Sequence, residues 1–384
     1  MQPEEKMNFV AAWLQENQPR MVEVLGQIVN IDSFSHEPDG VQAVRNVLQQ
    51  VLEQSGIKVT ALDEQDSHAL FASVGSGSEQ NIFLTGHMDT VFKGGTVAQR
   101  PFRVEGNQAF GPGVADMKSG LVMNVFVLMA FHELNAVAPL PFRVNLFFTA
   151  DEEIGSPNGR TLIEQYLKPA TAVFNAEPGR VSGNVVKSRK GGGTYQIEVT
   201  GVASHSGVSH QDGVSAIEAL ARIISAIHQL TDYEQGITTN VGVIEGGTTP
   251  NTVAPFATAK VDVRFMRLAQ VAEIEALLAQ CVAGHGLQGA SATISKIAGF
   301  LPFEEHASES LLALYKRQAA NIGLIVDGEF TGGCSDAGWT SAMGIPTLCA
   351  TGPVGAYAHT ERETCFIDTF AERATVVARC CLTL

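Results

Sequence analysis

Basic residues are scarce. Against 40 Asp and Glu, the 384 residues set only 25 Lys and Arg, for a net charge of -15. No basic stripe is left over for nucleic acid or for an anionic membrane surface. Cysteine is nearly as thin: Cys281, Cys334, Cys349, Cys365, Cys380 and Cys381 all fall in the last third, with no Cys-x-x-Cys pair. That spacing suggests neither a disulfide framework nor a thiolate zinc site. No apolar run is read as approaching the roughly 20 residues that span a bilayer. The opening Met1-Gln-Pro-Glu-Glu-Lys has acids where a secretory signal has bases, and no apolar stretch with a small-residue cleavage site follows. Internal repeats and low-complexity tracts are missing as well. The expectation is a soluble, cytoplasmic protein with neither a nucleic-acid nor a membrane partner.

What is there begins with length. A chain of this size exceeds what one hydrophobic core usually serves, so two domains are expected. Up to about Lys187, helical periodicity (Phe9 to Val29, Val41 to Ser55, Met117 to Leu134) alternates with short apolar runs (Ile82 to Thr85, Phe142 to Phe148, Thr171 to Asn175). This is the pattern of a sheet covered by helices on both faces. After Gly191-Gly-Gly193 the style changes, because Tyr195, Ile197 and Val199 alternate with Gln196, Glu198 and Thr200 as in a strand with one wet face. A helix near Val214 to Leu230, strands at Thr238 to Glu245 and Ala257 to Met266, a helix near Ala269 to Ala283 and a strand at Ala292 to Ile297 follow. The order β-α-β-β-α-β is a split βαβ insert. Helical and strand character of the first kind then returns from about Glu309.

The chemistry gathers at the strand ends. His87 and Asp89 follow Asn81-Ile-Phe-Leu-Thr-Gly, Asp151-Glu152-Glu153 follow Val144 to Phe148, Glu177 follows Ala172-Val-Phe-Asn, and His359 lies beyond Pro346-Thr-Leu-Cys-Ala-Thr-Gly. Asp116 sits in the glycine-rich bend Gly111-Pro-Gly-Val-Ala-Asp116 before an apolar helix. Singly, each has a plain reading: a hydrogen-bonded turn histidine, a helix-capping aspartate, a solvated acidic turn. Jointly they have another, because an open α/β sheet gathers ligands outside the carboxyl ends of its strands. Two histidines and three carboxylates, one of them shared, satisfy two zinc ions with a bridging hydroxide between them. Glu152 is then left unliganded as a general base, and three adjacent acids at the end of a buried strand repel one another until cations relieve them.

Five stretches carry a resemblance over nearly all of the chain: Gly86-His-Met-Asp-Thr-Val91, Pro101-Phe-Arg-Val-Glu-Gly106, Gly111 to Asp116, Thr149-Ala-Asp-Glu-Glu-Ile-Gly155 and Gly332-Gly-Cys-Ser-Asp336. In these the chain resembles the di-zinc aminoacylase and carboxypeptidase family, in particular glutamate carboxypeptidases. The resemblance implies a zinc-peptidase-like α/β catalytic domain with a central mixed sheet, residues 1–189 and 302–384, interrupted by a ferredoxin-like lid and dimerisation domain, 190–301. One zinc would take His87, Asp116 and Glu177, and the other Asp116, Glu153 and His359. Cobalt and manganese are the expected substitutes. Asp89 would orient His87, and Glu152 would deprotonate the bridging water.

His205 in Gly201-Val-Ala-Ser-His-Ser-Gly207 matches a lid histidine that serves a partner subunit's site, implying a homodimer through the lid. Asn251, Arg264 and Gly333 match substrate-binding positions, and a forked guanidinium suits a carboxylate. The Asp116–Met117 peptide is expected to be cis. In one place the chain departs from the pattern: glutamate-preferring members carry a further basic residue where Ile297-Ala-Gly-Phe-Leu-Pro302 is apolar. The implied activity is hydrolysis of an amide next to a free carboxylate, releasing a C-terminal amino acid from a small molecule or peptide. The alternative is an N-acyl amino acid deacylase of the acetylornithine or succinyl-diaminopimelate type, and a distant third is a non-catalytic binding module.

Overall fold

A computed structural model describes residues 1–77 and 80–384. The chain divides into two compact units: one of residues 1–188, 303–331 and 335–384, the other of residues 189–302 with 332–334.

The first unit is built on a six-stranded sheet. Its strands run in the order Val59–Leu62, Ala69–Val74, Arg143–Thr149, Asn81–His87, Ala172–Asn175, Thr347–Leu348. The last four are parallel to one another, and the first two form an antiparallel hairpin on one edge, so the sheet is mixed. Parallel pairing fixes the site: His87 lies opposite Thr149 and Thr85 opposite Asn175, so the three chains leave the sheet at one end.

Through the middle of this unit runs the helix Ser119–Val137, buried along almost its whole length among the helices Pro3–Val29 and Thr369–Thr383 and the sheet. A helix apolar on every side belongs in a core. The expectation that no apolar run reaches spanning length is corrected here. Val114–Val137 is long and apolar enough by composition, and 94% of an 18-residue apolar window within it is buried in the protein, which marks it as a core helix. At its start Gly120 is a contact point, since a Cβ there would lie 1.9 Å from the Ala176 carbonyl oxygen.

A small antiparallel sheet, unexpected from residue pattern, joins Arg103–Glu105, Gln108–Phe110, Thr364–Phe366 and Gly355–Ala356. It brings the Gly111–Asp116 bend beside the loop that carries His359.

The second unit has the expected order of elements. Four antiparallel strands, in the spatial order Thr238–Gly246, Phe256–Phe265, Gly191–Thr200, Ser291–Phe300, share a core with the helices Ala216–His228 and Gln270–Ala283. Tyr195, Ile197 and Val199 are buried in that core, whereas Glu198 and Thr200 are exposed.

Candidate metal centre

His87 is the last residue of its strand and is almost fully buried. Its Nδ1 donates to the Asp89 backbone carbonyl at 3.0 Å and lies 3.3 Å from Asp89 Oδ1, which aims Nε2 into the cluster. Asp89 itself is completely buried. It accepts from Ser35 Oγ at 2.6 Å and from the backbone N–H groups of Glu152 and Glu153, each at 3.1 Å. One carboxylate therefore fixes the imidazole of one strand and the acidic turn after another. Burial opposes its ionisation, but His87, Ser35 and the Glu153 N–H outweigh this and hold it below the usual carboxylate range.

Asp116 stands between two histidines, with Oδ1 3.3 Å from His87 Nε2 and Oδ2 3.2 Å from His359 Nε2. It does not cap the core helix, which begins three residues later. The Asp116–Met117 peptide is cis. The bend holds its shape through Glu363, a buried carboxylate that accepts from the N–H groups of Gly113 at 3.3 Å and of Ala115 and Asp116 at 2.9 Å. On the far side of the cluster His359 Nε2 lies 3.3 Å from Glu153 Oε1, and Glu177 Oε1 and Glu152 Oε2 each lie 3.8 Å from His87 Nε2.

The donor set fits metal ions. One ligand atom each from His87, Asp116 and Glu153 can be chosen so that all lie within 4.8 Å of one another. His87 Nε2 and Glu153 Oε1 are buried without a hydrogen-bond partner, a cost that coordination would remove. Two of the acids resist ionisation. Burial pushes Glu152 well up, with Glu177, Glu153 and Asp336 adding to the effect, and burial raises Glu153 to about 7. The Asp116 and Glu153 carboxylates beside it lift His359 to about 11. For His87 burial acts downward, but Glu152, Asp116 and Asp89 overcome it and the imidazolium is favoured.

The acidic triplet is divided. Asp151 turns away and accepts from the N–H groups of Asn158 at 2.7 Å and Gly159 at 3.1 Å, anchoring the start of the next helix. Only Glu152 and Glu153 face the cluster, so mutual repulsion of three acids overstates the case. Sequence reasoning missed Ser35, Glu363 and the part played by Asp336, which accepts from Thr149 Oγ1 at 2.9 Å and from Ser156 Oγ. A signal existed for Glu363 alone, an acid four residues after a histidine.

The other predicted residues belong to the second unit. His205 is exposed, and its Nδ1 accepts from the Gly207 N–H at 3.1 Å, so Nε2 carries the proton. Asn251 Oδ1 accepts from Thr249 Oγ1 at 2.9 Å, leaving its amide hydrogens for another partner. Arg264 pairs with Asp262 through Nε at 2.9 Å and Nη2 at 2.8 Å, and reaches Cys334 Sγ with Nη1 at 3.0 Å. The Gly333 carbonyl accepts from Arg189 Nη1 at 3.3 Å.

The sequence model of Peptidase family M20/M25/M40 matches residues 83–383. The chain belongs to this family. Carboxypeptidase G2 of Pseudomonas sp. (strain RS-16) is 27% identical over 360 residues, 90% of this chain and 85% of that protein. Acetylornithine deacetylase of Klebsiella pneumoniae (strain 342) is 27% identical over 292 residues, 70% and 74% of the two chains. Among solved structures, an M20 family metallo-carboxypeptidase from Sulfolobus solfataricus superposes with a TM-score of 0.74 at 19% identity, covering 94% of this chain and 98% of that one. Aminopeptidase PepT from Bacillus cereus ATCC 10987 gives 0.73 at 22%, covering 95% and 98%. The M20 fold is thus shared, and the chain is a hydrolase of the metallopeptidase and amidohydrolase kind. Members of this family depend on metal, and the His, Asp and Glu cluster could bind it.

Proposed function

We propose that this M20 protein is a two-zinc hydrolase that cuts an amide next to a free carboxylate and releases the C-terminal amino acid. The observation that carries the reading is Asp116, with one oxygen turned to each of two histidines at 3.3 and 3.2 Å. A carboxylate so placed can be shared between two ions. His87 and Glu177 would hold one ion with it, and Glu153 and His359 the other. Zinc bound there would make water acidic and polarise the substrate carbonyl.

The rest is done by the chain. Asp89 keeps His87 in the tautomer that presents Nε2. Glu152, held by its backbone N–H to Asp89, takes the proton of the attacking water and passes it to the departing amide nitrogen. His205 would donate from Nε2, in the partner subunit of a homodimer, to the oxygen on which charge develops. The substrate carboxylate is held by the amide of Asn251, the Arg264 N–H groups not committed to Asp262 and Cys334, and the backbone at Gly333. A cytoplasmic setting suits the free cysteines.

Supporting the carboxypeptidase reading is the relative carboxypeptidase G2, matched along most of both chains. A deacylase is the second reading, favoured by the apolar stretch Ile297 to Pro302 and by the acetylornithine deacetylase relative. Amino acid release from acyl-glutamates, other N-acyl amino acids and dipeptides, with zinc-loaded enzyme, separates the two. Glu152→Ala is expected to lower kcat by about 10²- to 10⁴-fold while metal content stays constant. Undiminished turnover in that variant would remove Glu152 from its role. Sedimentation velocity reads the dimer, and a monomer would remove His205 from action across subunits.

A further inference from the structure

Three buried carboxylates grip the turn that carries Glu152 and Glu153. Asp89 takes the N–H groups of those two residues, and Asp151 ties the far side of the turn to Asn158 and Gly159. The third, Asp336, comes from a remote segment and meets the turn at both ends. Its Oδ2 accepts at 2.9 Å from Oγ1 of Thr149, the last residue of the strand before the turn, and its Oδ1 accepts from Oγ of Ser156, just past it. One carboxylate thus joins the two ends of the segment that holds the candidate base.

Two observations separate this from the ordinary uses of a buried aspartate. Asp336 stands at the N-cap of Ala337–Ala342, where an aspartate usually accepts from the helix's own N–H groups. Its side chain makes no such bond, and Ser335 Oγ accepts from the Ala337 N–H at 3.3 Å instead. The carboxylate is therefore turned from its own helix to the acidic turn. Ser156, for its part, is fully buried with a φ of 52°, a left-handed backbone that a residue other than glycine keeps only when its surroundings hold it there. Its hydroxyl donates to Asp336 and its N–H to the Asp151 carbonyl at 2.9 Å, while the Gly155 N–H closes on the Glu152 carbonyl at 2.8 Å. A shift at Ser156 or Thr149 is passed through these bonds to Glu152, whose Oε2 lies 3.8 Å from His87 Nε2.

We propose that Asp336 is a positioning residue for the hydrolysis: it ties both ends of the acidic turn and so fixes where the Glu152 carboxylate stands beside the candidate metal ligands. The proposal rests on the reading of Glu152 as the base. The test compares metal-loaded wild-type protein with Asp336→Ala, Asp336→Asn, Ser156→Ala and the double variant Asp336→Ala with Ser156→Ala. Amide hydrogen exchange read by mass spectrometry needs no turnover: residues 150–156 are expected to exchange about tenfold or more faster in Asp336→Ala, with the helix Ser119–Val137 unchanged. In kinetics, kcat is expected to fall about 10- to 100-fold with KM within about twofold and metal content constant, as for a displaced catalytic group. Asp336→Asn, which keeps the volume and one acceptor, should recover part of that loss. Ser156→Ala should also lower kcat, and should add little to Asp336→Ala because the bond it removes is already gone. If Asp336→Ala does not fold, Ser156→Ala carries both readouts. Unchanged exchange in the turn overturns the proposal, as does a kcat loss that tracks lost metal, or losses that multiply in the double variant. Turnover that survives Glu152→Ala sinks the reading of Glu152 instead, and faster exchange confined to the turn then still leaves Asp336 as the group that holds it.

Discussion

At the scale of single residues, the candidate centre is shaped by carboxylates that would not themselves hold metal. Glu363 binds three successive parts of the bend before the core helix, and through them sets where the two oxygens of Asp116 lie. Glu363→Gln keeps the size but replaces one acceptor with a donor aimed at N–H groups. Metal affinity, read by competition with a chromogenic chelator, is expected to fall about 10- to 100-fold, as for other residues that orient ligands. An unchanged affinity would mean that the bend holds Asp116 without it. Most of the candidate ligands stood out because His87, Glu153 and Glu177 follow apolar runs, and the change from apolar to polar is visible in one sequence, whereas Asp116 sits in a glycine-rich bend. Glu363 and Asp336 were not, because their partners are backbone N–H groups and hydroxyls from remote segments. The split of Asp151 from Glu152 and Glu153 was hidden for the same reason, since the sequence shows three acids and only the turn decides which way each points.

Among the elements, the core helix and the strand ends are locked by close approach. Gly120 lets the start of Ser119–Val137 lie against Ala176, the residue before Glu177. Gly120→Ala is compatible with a helix but brings a Cβ to 1.9 Å from that carbonyl, so the strand end must move. The expected result is a loss of about 1–3 kcal/mol in denaturant unfolding together with weaker metal binding. Loss of stability with metal affinity intact would place the strain elsewhere. Long elements were legible from periodicity: the helices and the four strands of the inserted unit all stand near their expected positions. The edge hairpin Val59–Leu62 and Ala69–Val74 and the small sheet around Phe110 and Thr364 were not. Strands of two to six residues, with buried and exposed positions mixed, leave too few residues for a period to register.

For the molecule as a whole, the acids around the centre make stability depend on pH and metal together. Burial raises Asp151 to about 6 and Glu153, Asp336 and Glu363 each to about 7. The folded chain thus holds more protons than the unfolded one between roughly pH 4 and 7, and stability falls as pH rises through that window. Raised histidines act in the same sense above about pH 6.5. Asp89 and Asp116, lowered from their ordinary values, act in the opposite sense only below about pH 4. Buried Lys118, pushed down to about 7, opposes the trend only above that pH. Chelated protein is therefore expected to melt roughly 2–5 °C lower at pH 7 than at pH 5, with zinc restoring most of the difference at pH 7. A higher melting temperature at pH 7 without metal would contradict it.

The position of the insert also bears on how the protein is made. His87, Asp116, Glu153 and Glu177 all precede residue 189, whereas His359 follows residue 302. At ordinary ribosomal speeds the intervening stretch takes roughly ten seconds to synthesise. During that interval a nascent chain carries four of the candidate ligands, with the partner for the second oxygen of Asp116 still untranslated. The complete centre is thus a late event in the life of each molecule, and a stalled or truncated product that stops inside the insert has a half-built cluster of acids in its place.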